Sequence, residues 1–271
     1  MVITTYNRPV ETVKRAIDSV ISQTYTKLEL IIVNDCPSNQ ELAQKVGELI
    51  RSYQDNRISY YINKRNLGAC ASRNIGIKRS RGEYVAFLDD DDEWLPNKLF
   101  QQIKLFRNDR IGLVYCKYFR VDEKSKMRRS VPIKDIRKNS VKGLLKQNAV
   151  GSTSFPLIRK ECFQQCGMFN THLRSCQDWD MWIRIAKKYQ VDFSNDFLVN
   201  YYVSEDGITA DMKKRLQGWK LMLRIYSEDY KQNKGAYIFF LRFIADQLYE
   251  NKYYLKGAWY SFRAKTVELI S

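Results

Sequence analysis

The chain has 271 residues, with 46 Lys and Arg against 30 Asp and Glu for a formal charge of +16; 44% are hydrophobic and 13% aromatic. That supply of apolar side chains builds a sizeable core and excludes a disordered tail or a small disulfide-stapled domain. Apolar runs such as residues 236–241 fall far short of the roughly 20 residues of a bilayer span. Six scattered cysteines form no CxxC pair, and no charged-then-apolar leader precedes the first strand pattern; reduced thiols in a cytoplasmic protein are expected. With one histidine, His172, the chain has neither an HExxH nor a Cys₂His₂ zinc site, and it has no GxxxxGK or GxGxxG phosphate cradle.

Val2 to Thr5 reads as a short β-branched strand. Val13, Ala16, Ile17, Val20 and Ile21 then repeat at the spacing of one helix face. Leu28 to Val33 is a second strand, and Ser38 with Glu41 predicts a capping box opening a helix that turns Leu42, Val46, Leu49 and Ile50 inward. A third strand at Ile58 to Ile62, a Gly-containing helix near Ala69 to Ile77 and a fourth strand at Tyr84 to Leu88 continue the alternation. The fold class is therefore α/β, a mostly parallel sheet covered by helices on both faces.

After Pro96 a helix carries Leu99, Ile103 and Phe106, and Leu113 to Phe119 alternates as a strand with one solvated face. Residues 122–150 hold nine Lys and Arg against three acids with weak periodicity, which reads as a mobile basic segment. A boundary is expected near Asp206-Gly207, followed by a helical C-terminal appendage that includes Trp219 and the aromatic stretch Tyr237 to Phe262.

Directly after the fourth strand stand Asp89, Asp90, Asp91, Asp92 and Glu93, five acids in a basic chain. Carboxylates at the C-terminal edge of a parallel sheet line the ligand crevice and suit a divalent cation, which in turn screens a diphosphate. The plainer alternative is a solvated acidic run in which Asp92 caps the following helix. A haloacid-dehalogenase-type phosphatase fits poorly because Glu93 stands where Thr or Val is wanted, and a prenyl-diphosphate synthase would carry its Asp-rich box inside a helix.

Four segments in order, Val2 to Pro9, Ile31 to Asp35, Asn66 to Gly76 and Gly82 to Asp92, together with Gln177 to Arg184, make the chain resemble the family 2 glycosyltransferases, inverting enzymes of GT-A fold. The resemblance covers about residues 1–205. It implies a catalytic domain over 1–205, with a nucleotide-sugar half (1–105) and an acceptor half (106–205), followed by a helical segment over 206–271. It also implies that Thr5, Tyr6 and Asp35 form the nucleobase pocket, that Arg73 adds nucleotide contacts, that Asp89 meets the ribose with Asp90 counted beside it, and that Asp91 holds Mn²⁺ or Mg²⁺. Asp178 would be the base, with Asp180 as fallback. A carboxylate accepting the imino N–H of uracil and an aromatic stacking on the base agree with that assignment. Each residue also has a plainer role: Tyr6 in the core, Asp35 capping the turn at Cys36-Pro37, Arg73 solvated on a helix, Asp178 as an N-cap.

Gln177 stands where the family more often has Glu, and the first strand has an unusually short lead-in, as if trimmed. No QxxRW motif occurs, so the resemblance implies a non-processive enzyme. The implied partners are a UDP-sugar donor and a glycan or polyprenyl-diphosphate-linked acceptor, with no nucleic acid. The basic segment and the aromatic C-terminus, with Trp259, Tyr260 and Phe262, suggest an anionic membrane surface at the inner face of the cell membrane, or a homo-oligomer through the C-terminal helices. The rival from the charge alone is a non-catalytic basic module binding membrane or nucleic acid.

Overall fold

The computed structural model describes residues 1–203 and 211–270. The chain opens as β1 (Val2–Thr5), α1 (Val10–Ile21), β2 (Leu30–Asn34), α2 (Gln40–Ser52), β3 (Ile58–Ile62), α3 (Ala69–Arg79) and β4 (Tyr84–Asp89). These strands pair in parallel in the order β3-β2-β1-β4, with Thr4 opposite Asp89 and Thr5 opposite Asn34. Successive strand residues point to opposite faces: Val2, Val85 and Phe87 join one apolar cluster, while Ile3, Ala86 and Leu88 join the other. Helix α1 buries Val13, Ala16, Ile17 and Val20 against the second face. Helix α3 covers the first and lies so close to β1 that a Cβ on Gly76 would meet Val2 Cγ1 at 2.3 Å.

The expected capping box does not form. Asn39 caps α2, its Oδ1 accepting from the Leu42 N–H at 3.1 Å, and Ser38 Oγ lies beside Cys36 Sγ instead. With the helix starting at Gln40, Leu42 occupies the position where a reciprocal Glu is required, and Glu41 pairs with Lys45.

The next elements are β5 (Glu93–Trp94), α4 (Lys98–Ile103), β6 (Ile111–Asp122), β7 (Arg128–Ser130), α5 (Ser140–Lys146), β8 (Leu157–Arg159), α6 (Glu161–Gln165), α7 (Gln177–Ala186) and β9 (Gln190–Val203). They extend the sheet as β4-β8-β6-β9-β5, with β8 antiparallel to both β4 and β6, and β9 parallel to β6. Two sequence expectations need correction here. Strand β6 has no solvated face over Ile111–Cys116, because it lies between β8 and β9 with helices on both sides. The basic segment 122–150 is structured: β7 pairs with β6, and Ile136, Leu144, Leu145 and Val150 are buried in the core. Few apolar residues anchor it, and the surrounding charges conceal them from a periodicity count.

The expected boundary at Asp206-Gly207 lies outside the described residues. Beyond it come α8 (Met212–Ile225), α9 (Ser227–Gln232), α10 (Lys234–Glu250) and α11 (Tyr254–Leu269). Asp211 caps α8 by accepting from the Lys213 and Lys214 N–H groups. These helices share one apolar cluster with α3, α5 and α7: Trp179 meets Phe240 edge-on at 5.0 Å, and Tyr230 donates its hydroxyl to the Leu145 carbonyl. Among the described residues all six cysteines are free thiols, and no helix is long and apolar enough to cross a membrane.

Candidate active site

Three adjacent parallel strands, β2, β1 and β4, deliver Asp35, Thr5 with Tyr6, and the acidic run to one edge of the sheet. Asp35 is buried and takes three hydrogen bonds, from Asn63 Nδ2 (2.7 Å), the Leu67 N–H (2.8 Å) and the Gly68 N–H (2.7 Å). It thus fastens the loop that enters α3 at Gly68, whose φ of +85° suits a residue without Cβ. It is not a cap of the Cys36-Pro37 turn; Asn34 Oδ1 accepts the Cys36 N–H. Tyr6 is 55% exposed, an open ring beside this pocket rather than a core residue, whereas Thr5 is buried and hydrogen-bonds Asp90.

The acidic run divides by environment. Asp89 accepts from Arg73 Nη2 (2.7 Å), Ser152 Oγ (3.1 Å) and Thr153 Oγ1 (3.0 Å). Arg73 is itself buried and committed to that pair, so it is not a solvated helix residue. Asp90 is buried against Arg8 Nε at 3.0 Å; burial pushes its carboxyl up and Arg8 opposes the shift. Asp91 takes Arg8 Nη2 at 2.9 Å and remains a third exposed; burial first, then the charges of Asp89 and Asp90, raise it to about 6. Asp92 is fully buried, accepting from Ser154 Oγ (2.5 Å) and the Tyr202 N–H (3.1 Å), and burial lifts it well above the usual carboxylate range. It does not cap α4, which begins at Lys98 behind Asn97. Glu93 accepts from Asn200 and Tyr202. Asp92 and Glu93 therefore bind the run to β9, leaving Asp91, a third exposed, the most open of the remaining carboxylates.

Asp178 lies in the first turn of α7, behind Cys176 in a left-handed conformation at φ 60°. It is not the N-cap. Asn148 Nδ2 donates to its Oδ2 at 2.9 Å. Burial raises its pKa; its hydrogen bonds and the charge of Arg73 pull it back, and Asp89 adds to the rise. Asp180 is sequestered two residues on, paired with Arg184 Nη2 at 2.8 Å and accepting the Tyr226 hydroxyl at 2.7 Å. The exposed His172 sits on the preceding loop.

Residues 148–154 link the acidic run to α7. Asn148 holds Asp178, Ser152 and Thr153 hold Asp89, and Ser154 donates to Asp92 while accepting the Asp89 N–H at 3.1 Å. Gly151 turns the strap at φ +84°, and Trp182 Nε1 donates to its carbonyl. The sequence reading missed this strap and assigned no role to Arg8. The signal available was a glycine followed by Ser152-Thr153-Ser154, three hydroxyl side chains two residues short of a strand, and an Arg three residues past the β1 end.

The donor chemistry suits a hard cation. Among the described residues no three His, Cys, Asp or Glu side chains converge as a closed metal cage. Asp91, raised first by burial and then by like charge yet still a third exposed, offers instead a single carboxylate of the kind Mg²⁺-type ions take from protein when water and phosphate oxygens complete the shell.

A parallel half with an acidic turn at its strand ends, continued by a mixed half that returns a carboxylate-bearing helix to the same crevice, is the architecture of a GT-A glycosyltransferase. The fold superposes with TM-score 0.69 on the mannosyltransferase PcManGT from Pyrobaculum calidifontis, solved in complex with GDP-Man and Mn²⁺, at 17% identity over 98% of this chain and 72% of that one. The chain belongs to glycosyl transferase family 2, whose family model matches residues 1–167. It is 34% identical to the uncharacterized glycosyltransferase MJ1057 of Methanocaldococcus jannaschii over 79% of this chain and 74% of the relative. It is 28% identical to the UDP-Glc:alpha-D-GlcNAc-diphosphoundecaprenol beta-1,3-glucosyltransferase WfgD of Escherichia coli over 89% of both chains. It spans 61% and 26% of the length of two other curated relatives that it matches.

Proposed function

We propose that this glycosyltransferase moves one sugar from a UDP-sugar to a hydroxyl of a surface-glycan or polyprenyl-diphosphate-linked acceptor, with inversion and with Mn²⁺ or Mg²⁺. The observation that carries the reading is that one strap, residues 148–154, fixes both the acidic turn and Asp178 in a single crevice. The UDP donor and the lipid-linked acceptor are supported by the name of WfgD, and the divalent metal by the Mn²⁺ in the PcManGT complex.

In this reading the uracil lies against the exposed Tyr6 ring beside Asp35, and the diphosphate lies toward Asp91. Asp91 would hold the Mn²⁺ or Mg²⁺, which would supply positive charge toward the leaving diphosphate. Asp178, its basicity raised by burial, takes the proton of the acceptor hydroxyl as that oxygen bonds to the anomeric carbon and the bond from carbon to the diphosphate oxygen breaks. Asn148 and Arg73 oppose the rise that burial gives Asp178. Asp89, already clamped by Arg73, Ser152 and Thr153, orders the floor on which the ribose rests. A purely nucleic-acid-binding or membrane-binding module has no use for these clamped carboxylates.

The test is transfer and donor hydrolysis with a panel of UDP- and GDP-sugars and Mn²⁺. Asp178→Asn should lower transfer by about 10²–10⁴-fold with donor affinity kept, and Asp91→Ala should weaken metal-dependent donor binding. Asp180→Asn should act on stability. Full transfer by Asp178→Asn, or unchanged metal dependence in Asp91→Ala, rejects the corresponding assignment, and turnover of GDP-sugars alone would replace the donor.

A further inference from the structure

Helix α11 is two-faced in an unusual way. Gly257, Tyr260 and Ala264 are buried, with Tyr253 and Val267 packed on the same cluster, and a Cβ on Gly257 would meet the Tyr249 ring at 2.9 Å. This corrects the expectation that Tyr260 is free to insert in a membrane, since it is 3% exposed. The opposite face is also apolar. Leu255, Trp259, Phe262 and Leu269, at i, i+4, i+7 and i+14, are 90%, 52%, 68% and 87% exposed. A stripe of this kind on a folded surface marks an interaction site.

The charges beside the stripe identify its occupant. Residues 251–267 contain Lys252, Lys256, Arg263 and Lys265 and no acid. Lys256 and Arg263 lie along one edge of the stripe and Lys265 along the other. The one acid of α11, Glu268, is paired with Arg242 at 2.6 Å. Among the described residues no carboxylate is within ion-pair distance of these four cations; Arg263 lies over the Trp259 ring at 4.7 Å and bonds the Tyr237 hydroxyl. A second copy laid on this stripe would set cation against cation at the flanking positions, where paired helices need opposite charges. An anionic bilayer supplies the complementary charge and receives the apolar ridge, with the indole at headgroup depth.

We propose that the outer face of α11 is a docking surface for an anionic lipid bilayer, on which the helix lies parallel to the membrane plane. The inference is independent of donor and acceptor identity, and its readouts do not use activity.

The test sediments the full chain with vesicles of phosphatidylcholine alone and of phosphatidylcholine mixed with phosphatidylglycerol, at low and high salt. Trp259 is the single exposed tryptophan of five, the others being at most 4% exposed, so its emission should shift to the blue on binding. The shift should vanish in Trp259→Phe. Binding is expected only to the anionic vesicles and should be lost as salt rises. Lys252→Gln, Lys256→Gln and Lys265→Gln together should weaken it by about 100-fold, at about 1 kcal/mol each. Leu255→Ser with Phe262→Ser should abolish it with the thermal melt unchanged, since both residues face solvent. Absence of binding at low salt overturns the proposal, as does equal binding to neutral vesicles. A concentration-dependent dimer abolished by the same serine variant, without vesicle binding, would assign the face to a second copy instead.

Discussion

Asp178 and Asp180 are two residues apart, and their surroundings are opposite. Asp180 is enclosed between Arg184 and Tyr226, whereas Asp178 meets the neutral Asn148 amide and has no ion pair of its own among the described residues. A sequence can show two acids in a helix; it cannot show which of them a tyrosine 46 residues away has occupied. Lys98 makes the same point in reverse. It reads as an ordinary surface lysine after Pro96, yet it is fully buried, donates to Gln102 Oε1 at 2.6 Å and lies over the Trp94 ring, and burial lowers its pKa to about 8. Between about 8 and its ordinary 10.5 the unfolded chain holds a proton that the folded one releases, so this residue favours folding more as pH rises through that window. Below the window its buried charge costs about 3 kcal/mol. Other buried groups titrate nearby, so the quantity to measure is the stability difference between the native chain and Lys98→Met. Urea melts should show the native chain gaining on the variant by about that amount from pH 7 to pH 10.5, and a difference that stays flat would refute it.

At the level of elements, the alternation as far as β4 was legible because each strand pairs with strands nearby in sequence and each helix has a long apolar face. The elements that complete the site were not. Strand β8 has three residues and is recognisable only by its position between β4 and β6, and the strap before it contains no periodic pattern. The family resemblance supplied the carboxylates, while the strap that holds them came only from the structure. Asn148 tests its purpose. Its amide lowers the pKa of Asp178, so Asn148→Ala should let that carboxyl rise further. The acid limb of the pH profile of kcat/KM should then move to higher pH, with the alkaline side little changed. An unshifted acid limb with a uniformly lowered rate would make Asn148 a scaffold residue alone.

Across the whole molecule, the C-terminal helices complete the core behind the site. Phe240 is fully buried against Trp179, one residue from Asp178, and Tyr226 meets Asp180. Phe240→Ala, some 60 residues downstream of the proposed base, should cost about 3–5 kcal/mol and loosen α7. The checks are a denaturant midpoint and a transfer rate that falls more than the loss of folded protein explains. The +16 charge suggested nucleic acid or membrane from composition alone, but net charge does not say where the cations lie; only the helix face shows that several of them flank one apolar ridge.

The packing of α7 against helices that follow it also sets a schedule during synthesis. The strands β1 to β4 pair among themselves and can close as they leave the ribosome. The rear wall of α7 does not exist until residues 212–250 have been made. At about 5–20 residues per second, the nascent chain spends several seconds with its parallel strands formed and Trp179 uncovered. Chaperone capture should concentrate in that interval, and a ribosome stalled before α10 should hold a chain with its acidic turn in place and α7 still unseated.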